Sequence, residues 1–95
     1  MKMVLMYADA SRLAAVRQDL AALGAPGYTV IPVAEGHGRT GTHDGSRVHP
    51  GSLALVMVID EDEHAVALFE GLVKQRDARE DDVTRLFLMP VERRA

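Results

Sequence analysis

Eight consecutive positions, Gly36-His37-Gly38-Arg39-Thr40-Gly41-Thr42-His43, gather the residue types that hold an anion. Neighbouring glycine amides can curl into a concave nest, Arg39 supplies a fixed positive charge, and the hydroxyls of Thr40 and Thr42 add donors. The run continues through Asp44, Arg47 and His49 and closes at Pro50-Gly51. Arg39 and Arg47 against Asp44 make it locally positive in a chain of formal charge -3. The competing reading is a flexible, solvated loop; long loops inside compact domains are usually either functional or disordered, and this composition favours function.

Three of the four histidines, His37, His43 and His49, fall on this same stretch. If several copies of the chain brought them together they would suit zinc, copper or nickel. Their six-residue spacing matches no metal motif, and only Glu35 and Asp44 supply carboxylates nearby, so plain solvation is the alternative. Free imidazoles would also titrate near pH ~6.5 and report on acidity. Nucleophilic chemistry has no matching motif: there is no Gly-x-Ser-x-Gly, His-Glu-x-x-His or phosphate-binding P-loop. Ser46 and Ser52 lie close in sequence to His43, His49 and Asp44, but adjacency along a loop is not triad geometry. A non-enzyme is expected.

The elements around this loop must position it. Met1–Ala8 is apolar except for Lys2 and predicts a strand central in a sheet. Asp9 or Ser11 is placed to cap a helix whose inward stripe is Leu13, Val16, Leu20 and Leu23, with Arg12, Arg17 and Asp19 off the stripe. Gly24 and Pro26 end that helix. Tyr28–Val33 is β-branched and aromatic, a second strand, and Pro32 assigns it to an edge or a bulge. Ser52–Asp60 is a third strand, apolar from Leu53 to Ile59. Asp60 and Glu63 have the spacing of a capping box for a second helix that turns Ala65, Val66, Leu68, Phe69, Leu72 and Val73 inward. Glu61-Asp62-Glu63-His64 reads as the start of that helix, not a ligand set. Asp77–Asp82 reads as a solvated turn, and Leu86–Val91 as the last strand. The five methionines, at 1, 3, 6, 57 and 89, sit in strands as packing residues.

The order is thus βαββαβ with the long loop in the middle. It predicts an α+β ferredoxin-like sandwich: one domain over residues 1–95, an antiparallel four-stranded sheet and two helices on one face. Helices can cover only that face. The first and third strands are apolar at nearly every position, so the other face also calls for burial, which a homotrimer with its sheets turned inward would supply. Absence of cysteine rules out disulfides and thiolate chemistry. The net charge gives no general attraction to nucleic acid, and the first apolar run is too short for a signal peptide or a membrane span. A cytoplasmic protein is expected.

The segment Gly27-Tyr-Thr-Val-Ile-Pro-Val-Ala-Glu-Gly-His-Gly-Arg39, in this element order, resembles the PII signal-transduction proteins, the nitrogen regulatory protein P-II family. Those proteins share Gly-x-Thr-Val and then Gly-x-Gly-Arg at similar spacing, at the base of a projecting T-loop; Leu23-Gly24 and Pro90-Val91-Glu92 are also similar. The resemblance implies a homotrimer with effector clefts between subunits, commonly for adenine nucleotides, and a loop that docks onto a target transporter or enzyme. It assigns Thr29, Gly36, Gly38 and Arg39 to the effector, with His37 among them, and Thr40, His43, Asp44, Arg47 and His49 to the partner-binding loop over 36–51. The chain departs from the family in its short loop. It departs again in Arg76–Phe87, where the family has a glycine-rich phosphate-wrapping B-loop and this sequence has no glycine and Asp77, Glu80, Asp81 and Asp82. A CutA-like metal-binding or metal-tolerance trimer on the same scaffold is the alternative, with His37, His43 and His49 as ligands.

Overall fold

The computed structural model describes residues 1–37 and 52–95. Its elements are β1 (Lys2–Asp9), a 3-10 turn (Ala10–Arg12), α1 (Leu13–Ala22), β2 (Thr29–Val33), β3 (Leu53–Asp60), α2 (Asp62–Asp77) and β4 (Arg85–Pro90). The strands form one sheet in the order β2-β3-β1-β4 with every neighbouring pair antiparallel. This is the expected α+β sandwich. The two near-continuously apolar strands, β1 and β3, are the inner ones, and β2 with Pro32 lies at an edge, where a missing amide donor is tolerated.

The register fixes which side chains share a face. Val4 stands between Val58 and Leu88, and Met6 between Val56 and Leu86, while Ala8 pairs with Ala54. These residues face the helices. Val4, Met6, Ala8, Val56 and Val58 close the core with Val16 and Leu20 of α1 and Ala65, Leu68 and Leu72 of α2; Phe69, Leu86 and Leu88 pack against its margin. On the other face, Leu5 stands between Met57 and Phe87, Tyr7 between Leu55 and Arg85, and Met3 between Ile59 and Met89. Neither described helix covers that side. Of the methionines in these strands, Met6 is in the helix-side core, and Met3, Met57 and Met89 belong to the uncovered face.

Local chemistry sets the ends of the helices. Asp9 accepts from both the amide and the hydroxyl of Ser11 at 2.9 Å, capping the 3-10 turn and not α1 itself. The expected Asp60–Glu63 capping box does not form. β3 runs on through Asp60, so α2 begins two residues later with Glu61 at its cap, and the Asp60 carboxylate accepts from the Glu61 amide at 2.7 Å instead. Asp62 and Glu63 in the first turn and Lys74 and Arg76 in the last complement the helix dipole. Gly71 makes room for the end of α1: a Cβ there would sit 2.8 Å from Leu23 Cδ2.

Gly24 ends α1 at φ 75°, a conformation that side chains resist. Gly24→Ala is expected to lower the unfolding free energy by about 1 kcal/mol. Gly27→Ala, where a Cβ would enter open space at ordinary φ, should change it little. Urea denaturation at one fixed protein concentration compares the two.

Candidate functional site

Antiparallel pairing brings four chain segments to one end of the sheet. β2 leaves there toward Gly36, β3 starts there at Leu53, β1 ends there at Asp9, and β4 begins there at Arg85. The effector-assigned residues are split along β2. Thr29 pairs with Met57 on the uncovered face and is exposed, while Val33 pairs with Leu53 at the strand's far end. Four residue steps along the strand separate these two by about 13 Å. Gly36 is partly buried and His37 exposed, both past that far end. A Cβ on Gly36 would meet nothing within 4 Å, so no contact among the described residues demands glycine there. Gly38, Arg39, Thr40, His43, Asp44, Arg47 and His49 lie outside the described residues. Of the three histidines proposed for metal, only His37 is described. Among the described residues no group of three His, Cys, Asp or Glu side chains could hold an ion.

The Glu61–His64 stretch is the start of α2, as read from sequence. His64 Nδ1 lies 3.8 Å from Asp60 Oδ2, one turn back. Two shallow depressions flank it. One, of about 420 Å³, is lined by Met1 and Glu61–His64; the other, of about 330 Å³, by Leu23, Gly24, Ala25, Asp60, Ala67 and Leu68 with His64. Neither involves Thr29, Gly36 or His37.

The α2–β4 connection corrects the sequence reading most. Asp77 is still helical, and the residues after it form a braced unit, not a solvated turn. Arg79 Nη2 donates to Asp19 Oδ1 at 2.8 Å, and its Nη1 lies 3.6 Å from Asp82 Oδ2. Asp19, expected on the solvent side of α1, is therefore only 8% exposed. Arg12 Nη2 donates to the Asp81 carbonyl at 3.1 Å and Arg76 Nη1 to the Thr84 carbonyl at 3.0 Å. Asp82 Oδ1 accepts from the Thr84 amide at 3.1 Å and its hydroxyl at 2.6 Å, which satisfies the buried Thr84. Asp81 takes φ 59° without being glycine. Such a conformation costs about 1 kcal/mol or more, least for Asn and Asp, and the Arg12 contact to its carbonyl helps hold it. Sequence patterning missed Asp19 and Thr84. The available signal was the i, i+3 pairing of Arg79 with Asp82.

Burial pushes the Asp82 carboxyl upward, but the two Thr84 hydrogen bonds and the charges of Arg12 and Arg79 outweigh it and leave its pKa below the ordinary 3.8. A depressed carboxyl contributes stability that is fully present above pH 3.8 and is lost as pH falls through its folded-state value. Asp82→Asn should therefore flatten the loss of stability on acidification below about pH 4, read from denaturation curves at stepped pH. Arg79→Ala leaves Asp19 and Asp82 short of a cation and should cost about 2 kcal/mol near neutral pH, allowing for the partial exposure of Arg79.

Comparison with known proteins identifies the fold and the family. Among the solved structures that share the fold are two PII-like proteins. One is a PII-like signaling protein from Thermus thermophilus, with TM-score 0.65 and 21% identity over 92% of this chain and 82% of that one. The other is CPII, a nitrogen regulatory PII-like protein from Thiomonas intermedia, bound to ADP, AMP and bicarbonate, with TM-score 0.63 and 20% identity over 97% and 88%. No curated protein sequence matches. The family model "Nitrogen regulatory protein P-II" matches residues 1–94, nearly the whole length, so this chain belongs to the P-II family of regulatory proteins.

Proposed function

We propose that the protein is a homotrimeric, cytoplasmic, non-catalytic regulator. It binds a small effector, an adenine nucleotide or another anion, in a cleft between subunits, and contacts a target protein through its central loop. The effector contacts are Thr29, Gly36, His37, Gly38 and Arg39. The partner contacts are Thr40, His43, Asp44, Arg47 and His49. The observation that carries the reading is the uncovered sheet face, where Met3, Leu5, Leu55, Met57, Ile59, Phe87 and Met89 stand in register with one another.

A contiguous apolar surface of that extent is rarely left to water on a lone chain. Burying one such side chain contributes about 1.5–3 kcal/mol, so packing several against sister sheets outweighs the cost of association. A head-to-tail ring sets the β2 edge of one copy beside the β4 edge of the next. In such a ring the exit of β2 is completed by residues of a neighbour, which a single chain, with Thr29 and Gly36 at opposite ends of β2, does not provide. The nucleotides and bicarbonate bound to the Thiomonas protein support an anionic effector. Binding regulates only if the effector prefers one arrangement of the loop over another.

Native mass spectrometry should find trimers carrying a retained small molecule, and Met57→Glu, which sets a charge on the uncovered face, should yield monomers. A wild type that stays monomeric at micromolar concentration would remove the reading. Calorimetry with AMP, ADP and bicarbonate should detect binding that Arg39→Ala weakens about tenfold while leaving the trimer intact. Silence of the wild type toward all three would refute the anionic effector.

A further inference from the structure

We propose that Met3, Met57 and Met89 form an oxidation site. Hydroperoxides convert them to methionine sulfoxide on any copy whose sheet face is open to water, and the sulfoxides then keep that face from packing. The site follows from the single chain; its effect on assembly rests on the trimer proposed above.

Three of the five methionines stand on the uncovered face, in two adjoining rows. Met3 of β1 is directly opposite Met89 of β4, with Ile59 of β3 on its other side. The next row is Met57, Leu5 and Phe87, so Met57 stands diagonally across from Met3. Side chains directly opposite are about 4.5–5.5 Å apart at Cβ and diagonal ones about 7–8 Å, so oxidation of one thioether alters the surroundings of the others. All three are half-buried, and Ile59 and Phe87 at the outer ends of these rows are 47% and 46% exposed. Met6 shares β1 with Met3 but points to the helix side, where it is only 3% exposed. The chain has no cysteine to take an oxidant first.

The chemistry needs only an accessible sulfur. A thioether lone pair attacks one peroxide oxygen, the O–O bond breaks and an S–O bond forms. The sulfur gives up two electrons, and the other oxygen departs as water or an alcohol. Solvent access therefore separates these three from Met6. The product is polar, with an oxygen that must accept hydrogen bonds. Its neighbours in the two rows, Leu5, Ile59 and Phe87, offer no side-chain donor. Water satisfies the sulfoxide on a separated chain; an apolar contact between sheets does not, and enclosing it there is costly. Oxidation is thus fast on separated chains, slow on assembled ones, and holds the separated population apart until the sulfoxides are reduced.

The test treats the full chain with hydrogen peroxide at protein concentrations from nanomolar to high micromolar, and reads each methionine by peptide mass spectrometry. At the dilute end Met3, Met57 and Met89 should oxidise about tenfold or more faster than Met6, and their rates should fall as the protein is concentrated. Native mass spectrometry should find the oxidised protein separated, and treatment with both stereospecific methionine sulfoxide reductases should restore assembly. Met3→Leu/Met57→Leu/Met89→Leu, close in volume, should assemble equally before and after the same dose. If that variant does not fold, Met57→Leu/Met89→Leu should keep more of its assembly than wild type. Met6 oxidising as fast as the other three, a fully oxidised wild type that stays assembled, or sulfoxide reduction without reassembly would overturn the proposal. A wild type that is separated at every concentration defeats the trimer reading, and the ranking of oxidation rates still decides the site.

Discussion

The pleat of β1 and β3 governs this molecule. Side chains alternate between the two faces of a strand, so an apolar residue at almost every position makes both faces apolar at once. The two described helices both go to the face of Val4, Met6, Val56 and Val58. The residues between them in sequence, Leu5, Tyr7, Leu55 and Met57, are paired with each other across the sheet with no described element above them. A register slip of one residue would exchange the two sets without making either polar. Register is therefore pinned from elsewhere: by Val30 of β2 and Leu86 and Leu88 of β4, which meet the core on one side only, and by the ends of the strands.

Those strand ends are fixed by polar contacts. The Ala10 amide donates to the Ser52 carbonyl at 2.7 Å, tying the exit of β1 to the entrance of β3. On the other side of β1, Arg12 reaches the Asp81 carbonyl, so the turn that starts α1 also holds the entrance of β4. A glycine-rich connection reaches tight geometry through backbone freedom. This connection, which has no glycine, reaches it through Arg12, Arg79 and the Asp82–Thr84 hydrogen bonds, with Asp81 alone in the left-handed region. Asp19 and Asp82, acids that appear solvent-facing in sequence, are given donors in space.

The fold was legible because its signals are repetitive. Apolar runs, Gly24 and Pro32 each allow few placements, and strand and helix boundaries came within a residue or two. The capping box failed because two residues at the right spacing do not show whether the preceding strand has ended, and β3 continues through Asp60. Asp19 was misplaced because helical periodicity sorts residues by polarity, while a carboxylate facing Arg79, sixty positions away, is stabilised inside. The candidate site was legible as composition only. Glycines, histidines and arginines in one stretch mark a candidate binding site by composition, but most of them fall at 38–51, outside the described residues, and residue types alone do not say what they face.

The uncovered face bears on more than packing. If sister sheets cover it, as proposed, the edges of neighbouring copies meet at a junction. Any group that binds across such a junction contacts two copies together, so it favours the assembled state over the separated one by an amount that grows with its concentration relative to its affinity. Linkage then runs in both directions: an effector that tightens the ring must itself bind the ring better than it binds one chain. For a domain of this size, whose second apolar face lies beyond the reach of its two described helices, assembly of the kind proposed would cover that face and let a small molecule alter how firmly the copies hold.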